Sequence, residues 1–294
     1  MIALTKGSSP VLIGEINMGT KKMNRLTKRI LLEMVVMVSV TVLLVVLIGN
    51  TWASYESPES TEPSGSESNP PEATGALAGM ENFLSANNLT EKDYPSWLLK
   101  KFNSNAENAQ FLLNYPLRYG VEHEVNLSGT ATDKVPLLVQ WDDRWGYRDY
   151  AGEIMGTAGA APTCMSMVAY YLTGEVIYTP AYFADYARNN GFTLEQGGTD
   201  WTFFSEGAVQ MGFKVTEVPN VKGAVMQYLE AGIPVVVFVG PGAYTAEGHY
   251  MVLTGVSGES IVLNDPMSPI NSQLRHNWDT LAESALKFWA IQNP

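Results

Sequence analysis

The spacing of apolar and polar positions changes along the chain, and the changes mark five stretches. Residues 1–29 have no apolar period but carry six Lys/Arg against one acidic residue, which predicts a disordered, basic cytoplasmic tail. Met23 is an equally good start, because Met23-Asn-Arg-Leu-Thr-Lys-Arg reads as the basic head of a signal sequence. Residues 30–49 follow as a nearly unbroken apolar run whose one charge is Glu33. A run of that length crosses a hydrocarbon core of roughly 30 Å, and its basic flank predicts a transmembrane helix with a cytoplasmic N-terminus and an extracellular body. Signal cleavage near Thr51-Trp52-Ala53 is the alternative and would give a secreted protein. Residues 50–79 are rich in Ser, Pro, Glu and Gly and too poor in bulky side chains to order themselves, so they predict an extended tether.

From residue 80 the globular pattern returns. Residues 80–134 show apolar positions at helical intervals over 80–89 and 97–113, a small helical lead-in. The main domain, 135–294, opens with a short extended stretch to Gln140 and an aromatic-rich turn. A small-residue turn from Gly156 then feeds a core helix with Met165, Val168, Ala169 and Leu172 on one face. Further helices are predicted over 180–189 and 200–211, the second stopped by Gly212, and over 221–231, stopped by Gly232. Period-two or continuous apolar runs predict strands over 214–218, 234–239, 249–256 and 260–265, the last two joined through Ser257-Gly258. Residues 278–286 predict a helix and 288–291 a closing strand. Helices first and paired strands later give an α+β domain, a helical layer packed on an antiparallel sheet.

Composition narrows the function. With 46% hydrophobic residues the chain can bury a substantial core, and one domain with appendages accounts for its 294 residues. The net charge of −12 is uneven: beyond residue 29 only 12 of the 18 basic residues remain, against 29 of the 30 acidic ones. Such a body excludes a nucleic-acid partner, since phosphate contacts need Lys and Arg. A single cysteine, Cys164, excludes an internal disulfide and any Cys-rich zinc site. No motif asks for a metal or an organic cofactor.

Three polar residues stand at element ends. Gln140 closes the first extended stretch, His249 opens one strand, and Asp265 ends the strand paired with it, so a hairpin brings a base and an orienting carboxylate to the same end. Taken singly, each also fits an ordinary role as surface amide, loop histidine or turn-capping aspartate. Trp141, Trp145, Tyr147 and Trp201 can line a groove or pack in the core.

Taken together the motifs Gln140-Trp-Asp-Asp-Arg-Trp-Gly, Gly159-Ala-Ala-Pro-Thr-Cys-Met-Ser-Met-Val, Gly198-Thr199, Gly232-Ile-Pro-Val, Gly248-His-Tyr-Met-Val-Leu-Thr-Gly and Asn264-Asp265-Pro266 resemble the bacteriocin-processing type of papain-like cysteine peptidase, in its stand-alone exported branch. The resemblance covers about residue 135 to the end. It implies a papain-like fold, a peptide or protein substrate cut after paired small residues, an oxyanion donor at Gln140, a general base at His249 and its orienting partner at Asp265. It further implies that Trp141, Gly159, Gly248 and Tyr250 flank the bound peptide. At position 160 it implies the nucleophilic cysteine, and this chain has Ala160.

A methyl group cannot form an acyl-enzyme, so the chain is expected to be inactive as written. Either an active enzyme has had its nucleophile replaced by an engineered Cys→Ala change, or a natural relative keeps the groove as a binding module, or Cys164 has taken over. Cys164 lies about 6 Å further along the helix, one turn from a hole built for position 160, and reads as a small core residue. The retained Gln140, His249 and Asp265 favour the engineered form.

Overall fold

The computed structural model describes residues 72–102, 105–195 and 197–293, with side chains from Met80 onward. The basic tail, the apolar run 30–49 and the tether up to residue 71 lie outside the described residues. Among the described residues no helix is long and apolar enough to cross a membrane.

The sheet is built from five antiparallel strands in the order β3-β7-β4-β5-β6, where β3 is Lys214–Val218, β4 Val235–Val239, β5 His249–Ser257, β6 Ser260–Asn264 and β7 Ala285–Gln292. A separate two-residue hairpin pairs β1, Asp149–Tyr150, with β2, Glu153–Ile154. Its turn places Ala151 and Gly152 at positive φ, as a tight primed turn requires. The last strand enters between β3 and β4 rather than at an edge.

The sheet is covered on both faces, which revises the expected single helical layer. Val236, Tyr250, Val252, Trp289 and Ile291 point to one side, where the central helix Ala160–Thr173 and the helix Pro180–Asn189 cover them. Val235, Val237, Val239, Met251, Leu253, Phe288 and Ala290 point to the other, against Val225 and Leu229 of helix Lys222–Glu230 and Trp278 and Leu281 of helix Trp278–Ser284. This double burial is why β4 is almost pure Val with no polar alternation.

Three local expectations change. Over 200–211 the backbone forms a π turn, Phe203–Gly207, before a short helix Ala208–Gln210; consecutive Phe203 and Phe204 are both buried there, which an ordinary helical spacing does not allow on a one-sided surface. The closing strand starts at Ala285, inside the predicted helix, because pairing across β4 outweighs helix propensity for Ala285-Leu286-Lys287. The lead-in is one helix, Glu72–Asn87, beginning within the expected tether, followed by short pieces Ser96–Leu99, Ala109–Leu113 and Tyr115–Arg118. Within the predicted 97–113 stretch Asn105 caps a new turn, accepting the Glu107 N–H at 2.9 Å, while Pro95 and Pro116 stand at the starts of the short helices on either side. Met80, Tyr94, Leu98, Phe111, Leu112 and Tyr115 of the lead-in form one cluster with Tyr147 and Ile154 of the main domain.

Candidate active site

The small-residue stretch after Ile154 is a single helical turn, Met155–Ala158, not a loose loop. Gly159 joins it to the central helix, and a side chain there would put Cβ 2.5 Å from the Met155 carbonyl. Only glycine lets the two helices meet at this spacing. Gly159 is itself buried. Ala160 is the first residue of the central helix. It retains 9% exposure, while Ala161, Cys164, Met165, Met167 and Val168 behind it have 0–1%. The first-turn N–H groups of a 14-residue helix have no partners within the helix, and the positive end of its dipole lies there. A thiol at position 160 would be drawn toward its thiolate by both.

His249 opens β5, opposite Val239, and Asp265 follows the last residue of β6. Their side chains meet at 2.7 Å between His249 Nε2 and Asp265 Oδ1. A carboxylate only accepts, so Nε2 carries the proton and Nδ1 is the ring nitrogen left for other chemistry. Asp265 is 3% exposed. Burial pushes its carboxyl up, but the His249 charge and hydrogen bond, the Asn271 amide at 2.7 Å and the Met267 N–H at 2.8 Å outweigh burial and hold it below the ordinary value of 3.8.

Gln140 has no exposed surface. Its backbone N–H donates to the Pro266 carbonyl at 2.9 Å, and Nε2 donates to the Gly156 carbonyl at 3.2 Å, in the turn that leads to Ala160. The extended stretch before it is fastened to β6 by Asn264 Nδ2, which donates to the carbonyls of Val135 and Pro136. Gln140 Oε1 is buried without a protein partner, as are Asn108 Oδ1, His123 Nε2 and Trp289 Nε1 elsewhere among the described residues. Flipping the amide would set oxygen against the Gly156 oxygen, so the donor faces that turn.

The central helix packs along β5, and Asn264 at the end of β6 lies 3.8 Å from Met167 of that helix. Gln140 bonds both Pro266, next to Asp265, and Gly156, four residues before Ala160, so it links the His249–Asp265 pair to the turn that leads into the helix start. Trp141 is half-buried and donates to the Met267 carbonyl at 2.9 Å, so it borders the Asp265 turn. Gly248 is exposed beside His249, and a Cβ there would lie 2.5 Å from the Phe238 ring. Tyr250 is in the core, its hydroxyl donating to the Thr199 carbonyl at 2.9 Å. Trp145 and Tyr147 are core residues as well, while Trp201 stays 40% exposed against Phe238. Cys164 has no exposed surface, and burial together with the Asp265 charge pushes its thiol well up, opposite to what a nucleophile needs.

Asn271 and Ser272 belong to this site although no sequence motif marked them. They stand on a one-turn helix, Pro269–Gln273, whose Ser268-Pro269 start is a legible cap signal. Asn271 donates to Asp265 Oδ2, and the Ser272 hydroxyl accepts the Asp265 N–H at 2.8 Å. His276 donates from Nε2 to the Asn271 carbonyl at 2.9 Å. Among the described residues no group of three or more His, Cys, Asp and Glu is placed to hold a metal ion.

No curated protein matches the chain. Among solved structures it is similar to the peptidase domain of Streptococcus ComA, a bifunctional ABC transporter involved in quorum sensing, at 21% identity and a TM-score of 0.38, over 47% of this chain and 93% of that one. A C39-like peptidase from Bacillus anthracis matches at 16% identity and a TM-score of 0.40, over 59% of this chain and 99% of that one. The model of the Peptidase_C39 like family matches residues 132–293, more than half of the chain and all of the site's residues, and the chain belongs to that family.

Proposed function

We propose that this chain is the nucleophile-deleted form of a cysteine peptidase that cleaves peptides by acyl transfer. One observation carries the proposal: His249 spends Nε2 on a buried Asp265 at 2.7 Å and keeps Nδ1 free, and Gln140 links that pair to the turn that leads into the Ala160 helix start. With a cysteine at 160, Nδ1 would take the thiol proton and later pass it to the leaving amine. The backbone N–H of residue 160 would hold the oxyanion, joined by the second Nε2 hydrogen of Gln140 once substrate binding opens the packing that buries that side chain. Asp265 keeps the imidazole in the tautomer this needs. Family resemblance points to substrates with paired small residues before the cut. Nothing in this scheme involves a metal or an organic cofactor.

The apolar run 30–49 and its basic flank support an anchor in the cell membrane with the peptidase body outside. Protease treatment of intact cells that removes residues 80–294 while sparing the N-terminal tail is the outcome this topology requires.

Ala160→Cys is the direct test of activity. The variant is expected to cleave a peptide containing a Gly-Gly site, with a further His249→Ala change lowering the rate by about 10²–10⁴-fold. Ala160 itself favours a second reading, a natural peptide-binding pseudopeptidase. Tight binding of such a peptide by the Ala160 chain, with no cleavage by Ala160→Cys, would establish that reading instead.

A further inference from the structure

The lead-in segment 105–111 touches both halves of the site, although the family match begins only at residue 132. On one side is half-buried Glu107. Its carboxylate accepts from the Ser268 hydroxyl through Oε1 and from the Ile270 N–H through Oε2 at 3.0 Å. The same Ser268 hydroxyl accepts the Asn271 N–H at 2.9 Å, and the Asn271 amide donates to Asp265 Oδ2 at 2.7 Å. Asn105 Nδ2 donates to the Met267 carbonyl at 3.0 Å, alongside Trp141 Nε1, and the Met267 N–H in turn donates to Asp265 Oδ1. Both oxygens of Asp265 are thus oriented by groups that the lead-in holds.

On the other side is Phe111. Its ring lies 2.3 Å from where a Cβ on Gly156 would stand and 2.7 Å from that of Gly146. The ring therefore rests directly on the backbone of Gly156, whose carbonyl accepts from Gln140. Tyr147 fixes Phe111 in turn, stacking on it at 4.1 Å and donating to its carbonyl at 2.8 Å.

We infer that residues 105–111 are a positioning clamp, in which Glu107 and Asn105 set the Asp265 carboxylate through the 265–271 turn while Phe111 sets the Gly156 carbonyl that orients Gln140. Glu107 is a positioning residue: it acts through Ser268 and Asn271. A charged acceptor taking two donors from one short turn fixes that turn more firmly than neutral partners would. Small misplacements of an orienting group cost catalysis steeply, up to about 100-fold per ångström. The catalytic consequence rests on the peptidase reading, whereas the geometry of the clamp does not.

The test has two arms. In the Ala160 chain, exchange of the His249 Nε2 proton with water is followed by NMR; Glu107→Ala is expected to speed it about tenfold, Glu107→Gln less, and the exposed control Glu91→Ala not at all. In the Ala160→Cys background, Glu107→Ala is expected to lower kcat about tenfold with KM within about twofold, and Glu107→Gln to restore part of the loss. Unchanged proton exchange in Glu107→Ala overturns the clamp. So does a loss that is equal in Glu107→Ala and Glu107→Gln and tracks a fall in unfolding temperature. Should Glu107→Ala fail to fold, Asn105→Ala, which deletes the bond to the Met267 carbonyl and the cap on the Glu107 N–H, is read by the same exchange criterion. If the Ala160→Cys chain cleaves nothing while Glu107→Ala still speeds exchange, the peptidase reading falls and the clamp stands.

Discussion

Cys164 has no exposed surface, and both its burial and the nearby Asp265 charge keep its thiol protonated at neutral pH. Alkylation of the unmodified chain by iodoacetamide at pH 7.5 should therefore label nothing in the folded protein and one thiol after unfolding in guanidinium, as mass spectrometry would show; rapid labelling of the native chain would return Cys164 to consideration as a nucleophile. Single residues of the site were legible to different degrees. Gln140, His249 and Asp265 stood out because polar side chains at the ends of apolar runs have few other places to be. Glu107 did not, because a hydrogen bond between segments some 160 positions apart leaves no spacing in the chain, and Asn271 did not, because a single amide six positions after Asp265 matches no motif. Tyr250 was expected beside the substrate and lies in the core, packed with Val252 and Trp289 and with its hydroxyl tied to the Thr199 carbonyl.

Elements, rather than residues, decide where position 160 sits. The Met155–Ala158 turn and the central helix meet at Gly159 with no room for a methyl, so Gly159→Ala should destabilise the fold by about 1–3 kcal/mol in urea titration and shift the helix start. Phe111→Ala should cost about 3–5 kcal/mol by removing a ring that fills the space over Gly146 and Gly156. A loss under 1 kcal/mol would show that the Phe111 contact carries little. The strands of the five-stranded sheet were predicted closely because apolar runs or strict alternation mark them, whereas the two-residue strands β1 and β2 are too short to leave either pattern. The helix over 278–286 was extended too far because Ala285, Leu286 and Lys287 suit a helix locally, and only the partner strand β4 makes them extended.

At the scale of the molecule, the lead-in and main domain share one apolar cluster across Phe111, Leu112, Tyr115, Tyr147 and Ile154. A protein cut to the family-matched residues 132–293 should thus unfold at a lower temperature than one beginning at residue 72, in a calorimetric comparison; equal unfolding temperatures would make the lead-in an appendage. Acid stability is set partly by Asp265. Its carboxyl is lowered in the folded chain, so its contribution is complete above the unfolded value near 3.8 and disappears as pH falls below it through the folded value. Asp265→Asn should flatten the loss of unfolding free energy between about pH 4 and pH 2 in urea titrations, and an unchanged slope would remove that carboxylate from the acid response. The helical layer foreseen on one face became layers on both, because the sequence pattern of β4 marks a doubly buried strand without naming what covers it. If Ala160 occupies the seat of an activated nucleophile, the rate of iodoacetamide labelling of Ala160→Cys as a function of pH reports it. One fast-reacting thiol is expected, whose thiolate persists well below pH 8 and which slows on His249→Ala, with Cys164 silent throughout. A thiol that titrates like free cysteine near pH 8.5, indifferent to His249, would contradict it.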